Sequence, residues 1–152
     1  MNIEAAIQTT RFRDESHKAG LNILYTAWWL KTLMSRELRE FGLTHEQYNV
    51  LRILKGKAPE EMCVKDIAGR MIEKSSNVPR IIDRLVLKKL VRRSTDQADK
   101  RHTVMALTPA GLNLLDQCTR RINQVFDQQV ELQPGQARQL NELLEQFRKN
   151  EG

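Results

Sequence analysis

Residues 64–108 read VKDIAGRMIEKSSNVPRIIDRLVLKKLVRRSTDQADKRHTVMALT, and three patterns follow one another in that span. Ile67, Ala68 and Met71 recur at helical spacing and predict a short helix over residues 65–72, just after a short extended piece at Met62, Cys63 and Val64. The turn Glu73-Lys74-Ser75-Ser76 leads to a second helix, expected to be capped by Ser75 or Ser76 and to run to about Leu90. Pro79 falls within its first turn, where a missing N–H costs little. Val78, Ile81, Ile82 and Leu85 make its apolar face, while Asn77, Arg80, Arg84 and Lys88 recur on another side. Residues 91–95 and 102–107 are then strand-like, rich in Val and Thr, and joined by a charged tip, residues 96–101.

The same span carries the charge. Between Arg70 and Arg101 stand ten Lys/Arg against four Asp/Glu, which accounts for the whole net charge of +6; the rest of the chain balances at fifteen of each sign. A concentrated cationic segment suits a polyanion, because each phosphate neutralised by Lys or Arg releases condensed counterions. A solvated surface is the competing explanation of charge taken alone. Two helices at a tight turn followed by a hairpin make a winged helix-turn-helix, and here the basic face lies on the second helix and the hairpin tip. That helix has the dimensions to enter a major groove. Ser75, Ser76, Asn77, Pro79 and Arg80 stand at its N-terminal end, where base contact is expected; Arg80 is the candidate for guanine and Asn77 for adenine or phosphate. Arg84 and Lys88 are candidate phosphate contacts.

Upstream, residues 16–41 form a long helix whose apolar positions (Leu24, Ala27, Met34, Leu38 and Phe41, flanked by Ile23, Trp28, Leu30 and Leu33) are broader than one packing partner requires. A second partner, such as another subunit, explains the width. Gly42 supplies the stop. Thr44 and Gln47 have capping-box spacing, Leu43 and Tyr48 occupy the staple positions, and Val50, Leu51 and Leu54 continue the face until Gly56 and Pro59. Thr108-Pro109 opens a helix to about Val130 with Leu112, Leu115, Cys118, Ile122, Val125 and Phe126 on one face; Gln133-Pro134 starts a last one with the stripe Leu140, Leu143, Leu144 and Phe147. The expected architecture is mostly α with a small β wing: residues 1–43 an N-terminal dimerisation helix, 44–108 the winged helix-turn-helix DNA-binding lobe, and 109–152 C-terminal dimerisation helices.

Several function classes are set aside by the residues. Nothing resembles a signal peptide, no run approaches the ~20 apolar residues of a membrane span, and the expected location is the cytoplasm. Cys63 and Cys118 are far apart and outside any CxxC pattern, so both are expected reduced and inert. His17, His45 and His102 show no metal-ligand spacing, and no nucleophile–base pair stands out; an enzyme, a metal site and a cofactor are not expected. A winged-helix protein-interaction module without DNA binding is the alternative reading, against which Arg80, Arg84, Lys100 and Arg101 argue.

The wing, Asp99-Lys100-Arg101-His102-Thr103-Val104-Met105-Ala106-Leu107-Thr108, resembles the D-x-R-x(5)-L-T signature of the MarR family (multiple-antibiotic-resistance regulators), with Pro109-Ala110-Gly111 following. Residues 76–85 resemble that family's recognition helix and residues 89–93 the entry to its wing. The resemblance implies a homodimeric regulator with interlocked N- and C-terminal helices that binds double-stranded DNA at a palindromic operator, usually as a repressor. It also implies that Arg101 enters the minor groove with Lys100 beside it, while Asp99 orients the basic side chains. A narrow minor groove concentrates negative potential, which suits an arginine. Pro79 departs from the Thr or Ser common at its position, so base preference does not carry over. Family members commonly release DNA on binding a small aromatic acid or phenol; Tyr25, Trp28, Trp29 and Tyr48 are the candidates for lining such a space, with core or dimer packing as the competing assignment.

Overall fold

The computed structural model describes all 152 residues, in the order α1 (Ile3–Ala6), α2 (Glu15–Arg39), α3 (His45–Lys57), α4 (Val64–Arg70), α5 (Val78–Leu87), β1 (Val91–Thr95), β2 (Thr103–Leu107), α6 (Pro109–Gln129) and α7 (Pro134–Phe147). The fold is mostly helical with one two-stranded antiparallel wing. No helix is long and apolar enough to cross a membrane. Two compact units are present, Met1–Thr119 and Arg120–Gly152.

In the first unit, α3 begins where the sequence places it. The Thr44 hydroxyl accepts from Gln47 N–H at 3.1 Å and Gln47 Oε1 accepts from Thr44 N–H at 3.2 Å. Leu43 and Tyr48, either side of this cap, are both buried. The chain enters from α2 through Gly42, whose φ of 71° lets Leu43 N–H reach back to Leu38 O at 3.1 Å. Val50, Leu51 and Leu54 of α3 are buried, as are Ile67 of α4, Met71, Val78, Ile82, Leu85, Val91 and Met105, and α3 packs on α4, α5 and β2. Full burial of each such side chain contributes roughly 1.5–3 kcal/mol. The wing pairs Val91 with Leu107 through to Thr95 with Thr103.

Several boundaries differ from expectation. The second motif helix is capped by Asn77, not by Ser75 or Ser76: the Ser76 hydroxyl donates back to Glu73 O at 2.7 Å, while Asn77 Oδ1 accepts from Arg80 N–H at 3.2 Å. It ends at Leu87, because Lys89 adopts a left-handed φ of 61° that turns the chain into the wing. The helix expected over 65–72 is Val64–Arg70 with Cys63 at its cap; of the extended piece, Met62 alone pairs, exchanging hydrogen bonds with Met105 at 3.0 and 2.8 Å. His102 lies outside β2. The one-turn helix α1, which buries Ile3, has too few residues to show a period and was not foreseen.

Thr108 closes the lobe. Its hydroxyl accepts from Gly111 N–H at 2.9 Å and donates to Lys89 O at 2.7 Å, and a Cβ on Gly111 would stand 2.0 Å from Leu90 O. Only glycine permits that approach.

Apolar surface remains on α2, where Leu33 and Leu38 are buried but Leu24 and Trp28 are 69% and 59% exposed. On α6, Leu115, Cys118, Ile122 and Val125 are buried, whereas Leu112 and Phe126 of the expected face are exposed. In the second unit α7 follows Gln133, whose N–H donates to Gln136 Oε1 at 2.9 Å; its stripe of Leu140, Leu143 and Phe147 is exposed.

Candidate nucleic-acid interface

The N-terminal end of α5 is built by the Asn77 cap. Because Asn77 Oδ1 is engaged with Arg80 N–H, its amide nitrogen is the part of the side chain left to face outward. Ser75, Pro79, Arg80 and Arg84 are exposed beside it, and neither arginine has an ion-pair partner within the chain. Arg80 and Arg84, with Thr44, Glu46, Gln47, Ser76, Asn77, Ile81 and Lys88, border a groove of about 520 Å³ between α3 and α5; Ser75 and Pro79 lie outside its lining. Lys88 is occupied differently from Arg80 and Arg84. Its ammonium donates to Gly42 O and, at 3.1 Å, to Gln47 Oε1, so it braces the entry to α3.

The wing divides its cations in the same way. At its base, Arg93 pairs with Asp83 of α5, and Arg92 lies 3.5 Å from Glu61. At its tip Arg101 is 88% exposed, with Nε and Nη2 each 3.1 Å from the two oxygens of Asp99. The same carboxylate accepts from Arg101 N–H at 3.1 Å and lies 3.3 Å from His102 Nε2. A fork-on-carboxylate geometry fixes the guanidinium plane as well as its charge. Hydrogen bonds from the Arg101 side chain, then from its backbone, hold the Asp99 carboxyl below its ordinary 3.8. Lys100 is exposed next to this pair.

Behind the motif, Lys31 of α2 reaches Glu46 at 3.1 Å and Glu73 at 2.9 Å. Those hydrogen bonds, Glu73 first, raise its pKa above the ordinary 10.5. Burial lowers that of the neighbouring His45. None of the three acid–base partners has a sequence pattern that marks it, since the contact joins residues 42 positions apart. A shallow cleft of about 420 Å³ runs along α2 between Trp28, Lys31, Thr32, Ser35, Arg36 and Arg39. Of the four aromatic candidates Trp28 alone lines it. Tyr25 packs on Trp28 at 5.4 Å between ring centroids, Trp29 is half-buried, and Tyr48 is buried with its hydroxyl 3.2 Å from Thr119 Oγ1. Cys63 and Cys118 are free thiols, and burial pushes that of Cys118 up to about 11.

A helix-turn-helix with a basic second helix, followed by a wing with an arginine at its tip, defines the winged-helix class. Residues 43–103 match the sequence profile of the MarR family. A MarR transcription factor from Planctomyces limnophilus is 32% identical, with 90% of this chain and 98% of that one aligned at a TM-score of 0.66. AbsC, a MarR family transcriptional regulator from Streptomyces coelicolor, superposes at a TM-score of 0.80 over 92% of this chain and 97% of its own, with 22% identity. CouR from Rhodococcus jostii RHA1, solved with p-coumaroyl-CoA bound, gives 0.74 over 88% and 94%, also at 22% identity. No curated protein matches by sequence comparison. The chain belongs to the MarR family of transcription regulators.

Proposed function

We propose that the protein is a sequence-specific regulator that binds double-stranded DNA as a homodimer at a palindromic site, represses transcription there, and lets go when a small aromatic or phenolic ligand binds. The observation that carries the DNA reading is the sorting of its cations. Lys88, Arg92 and Arg93 are spent on the protein's own groups. Arg80 and Arg84 stand unpaired on the exposed side of α5, and Arg101 is held outward at the wing tip by Asp99. A scaffold that never met a polyanion would have no use for a clamped, exposed arginine.

In this reading Arg80, with Ser75, Ser76, Asn77 and Pro79 around it, meets base edges in the major groove, Arg84 meets phosphate, and Asp99, Lys100 and Arg101 serve the minor groove. The homodimer is supported by the uncovered apolar positions Leu24 and Trp28 on α2 and Leu140, Leu143 and Phe147 on α7. The ligand is supported by the cleft on α2, where an indole adjoins Arg36 and Arg39 in a form suited to an aromatic anion, and by CouR's occupant, p-coumaroyl-CoA. A ligand can act only by binding the DNA-competent and incompetent arrangements unequally.

The test is fluorescence anisotropy with duplexes selected from a random pool. Arg80→Ala should erase the preference for the selected site over random duplex, each good bidentate base contact being worth about 1–3 kcal/mol of discrimination. Arg101→Ala should weaken binding to both. Unchanged discrimination in Arg80→Ala would count against the major-groove assignment.

A further inference from the structure

The reading end of α5 is not uniformly cationic. Glu46, in the first turn of α3, borders the same groove as Ser76, Asn77, Arg80 and Arg84. Glu73 stands in the turn that leads to α5, its backbone carbonyl accepting from both Ser76 N–H and the Ser76 hydroxyl. Two carboxylates therefore flank the place where a DNA backbone would arrive. An uncompensated carboxylate beside an arriving phosphate repels it, in partly wet surroundings by an amount comparable with the gain from one cationic contact.

One ammonium joins them. Lys31 Nζ lies 3.1 Å from Glu46 Oε1 and 2.9 Å from Glu73 Oε2, and it comes from α2, outside the motif. The Glu46 carboxyl is held below its ordinary 4.5 although burial pushes the other way, because its own backbone N–H and Lys31 outweigh the desolvation. As a stability device the pairs are modest, since all three side chains are partly exposed and such pairs are worth about 0–1 kcal/mol each. Their placement says more: they tie the long helix, the start of α3 and the turn of the motif at a single point.

We infer that Lys31 is a positioning residue for DNA binding, which masks Glu46 and Glu73 and draws them together so that the N-terminal end of α5 can approach a phosphate backbone. The inference rests on the DNA-binding reading above. Lys31 is not itself a phosphate contact here, because its ammonium is already committed to two carboxylates.

The experiment is a set of anisotropy titrations with the duplex that the parent protein selects, using the parent, Lys31→Ala, Lys31→Arg, the pair Glu46→Gln with Glu73→Gln, and that pair combined with Lys31→Ala. Thermal unfolding of each shows that the fold persists. Lys31→Ala should weaken binding about fivefold at low salt, the size expected for one newly unmasked charge near the backbone. Lys31→Arg should bind like the parent. In the Glu46→Gln, Glu73→Gln background the loss caused by Lys31→Ala should vanish. A loss of equal size in both backgrounds would show that Lys31 acts on the phosphates by its own charge, in contact or through space, and overturn the inference, as would a Lys31→Ala protein that binds like the parent. A parent that selects no duplex at all would instead refute the DNA-binding reading itself.

Discussion

The lobe around α5 and the outer helices α2 and α7 use the same apolar residues to different ends. Around α5 the side chains of Ile67, Ile82, Leu85 and Met105 are wholly buried, while Ile81 is half-buried at the groove and Ile72 and Leu87 are exposed. On α7 no residue is buried, and the first half of α2 leaves Leu24 and Trp28 in water. The lobe closes a core of its own. Leu24 and Trp28 on α2 and Leu140, Leu143 and Phe147 on α7 stay uncovered within the chain, and apolar surface of that kind is what an interaction site shows.

That contrast can be broken by substitution. Ile82→Ala, in the lobe's core, should have the largest effect, about 3–4 kcal/mol of unfolding free energy by urea titration, because an enclosed site cannot collapse around the void. A loss below about 1 kcal/mol would mean that the lobe is looser than its burial implies. Leu143→Glu, in the uncovered stripe, should instead leave helix content unchanged by circular dichroism and raise the dimer dissociation constant at least tenfold by sedimentation, about 1.4 kcal/mol or more. An unaltered association constant would assign the α7 stripe to something other than a second copy. The smallest effect is expected at the wing tip, where an exposed ion pair rather than burial holds the geometry. The Asp99 carboxyl is depressed, so the order it lends is present above the ordinary 3.8 and fades as pH falls through the lower folded value. A carboxyl NMR titration should show the depressed midpoint in the parent and a value moved up toward 3.8 in Arg101→Ala; an unmoved midpoint would mean that Arg101 does not grip Asp99 in solution.

Much of this was legible in the chain itself, and the failures share a cause. Local rules located the Thr44–Gln47 cap, the Gly42 stop, the Thr108 cap and the hairpin, because each depends on partners within a few residues. The helix cap moved from Ser75 or Ser76 to Asn77 because three adjacent residues can all cap, and the turn had already claimed the Ser76 hydroxyl. Charge spacing put Lys88 in the same row as Arg80 and Arg84, but no periodicity reveals that a lysine will fold back on Gly42 and Gln47. The four aromatic candidates were grouped by chemistry, and the fold separates Tyr48 from the cleft that Trp28 lines. Lys31, Glu46 and Glu73 escaped notice for the converse reason: ordinary surface residues acquire meaning only when distant segments meet.

The Thr108 hydroxyl has a mechanical consequence. By holding Lys89 O on one side and Gly111 N–H on the other, with no room for a Cβ between Gly111 and Leu90 O, it joins the exit of α5, the root of the hairpin and the first turn of α6 into one elbow. A rotation of the first turn of α6 is thereby passed to the C-terminal end of α5 through Lys89 and Leu90.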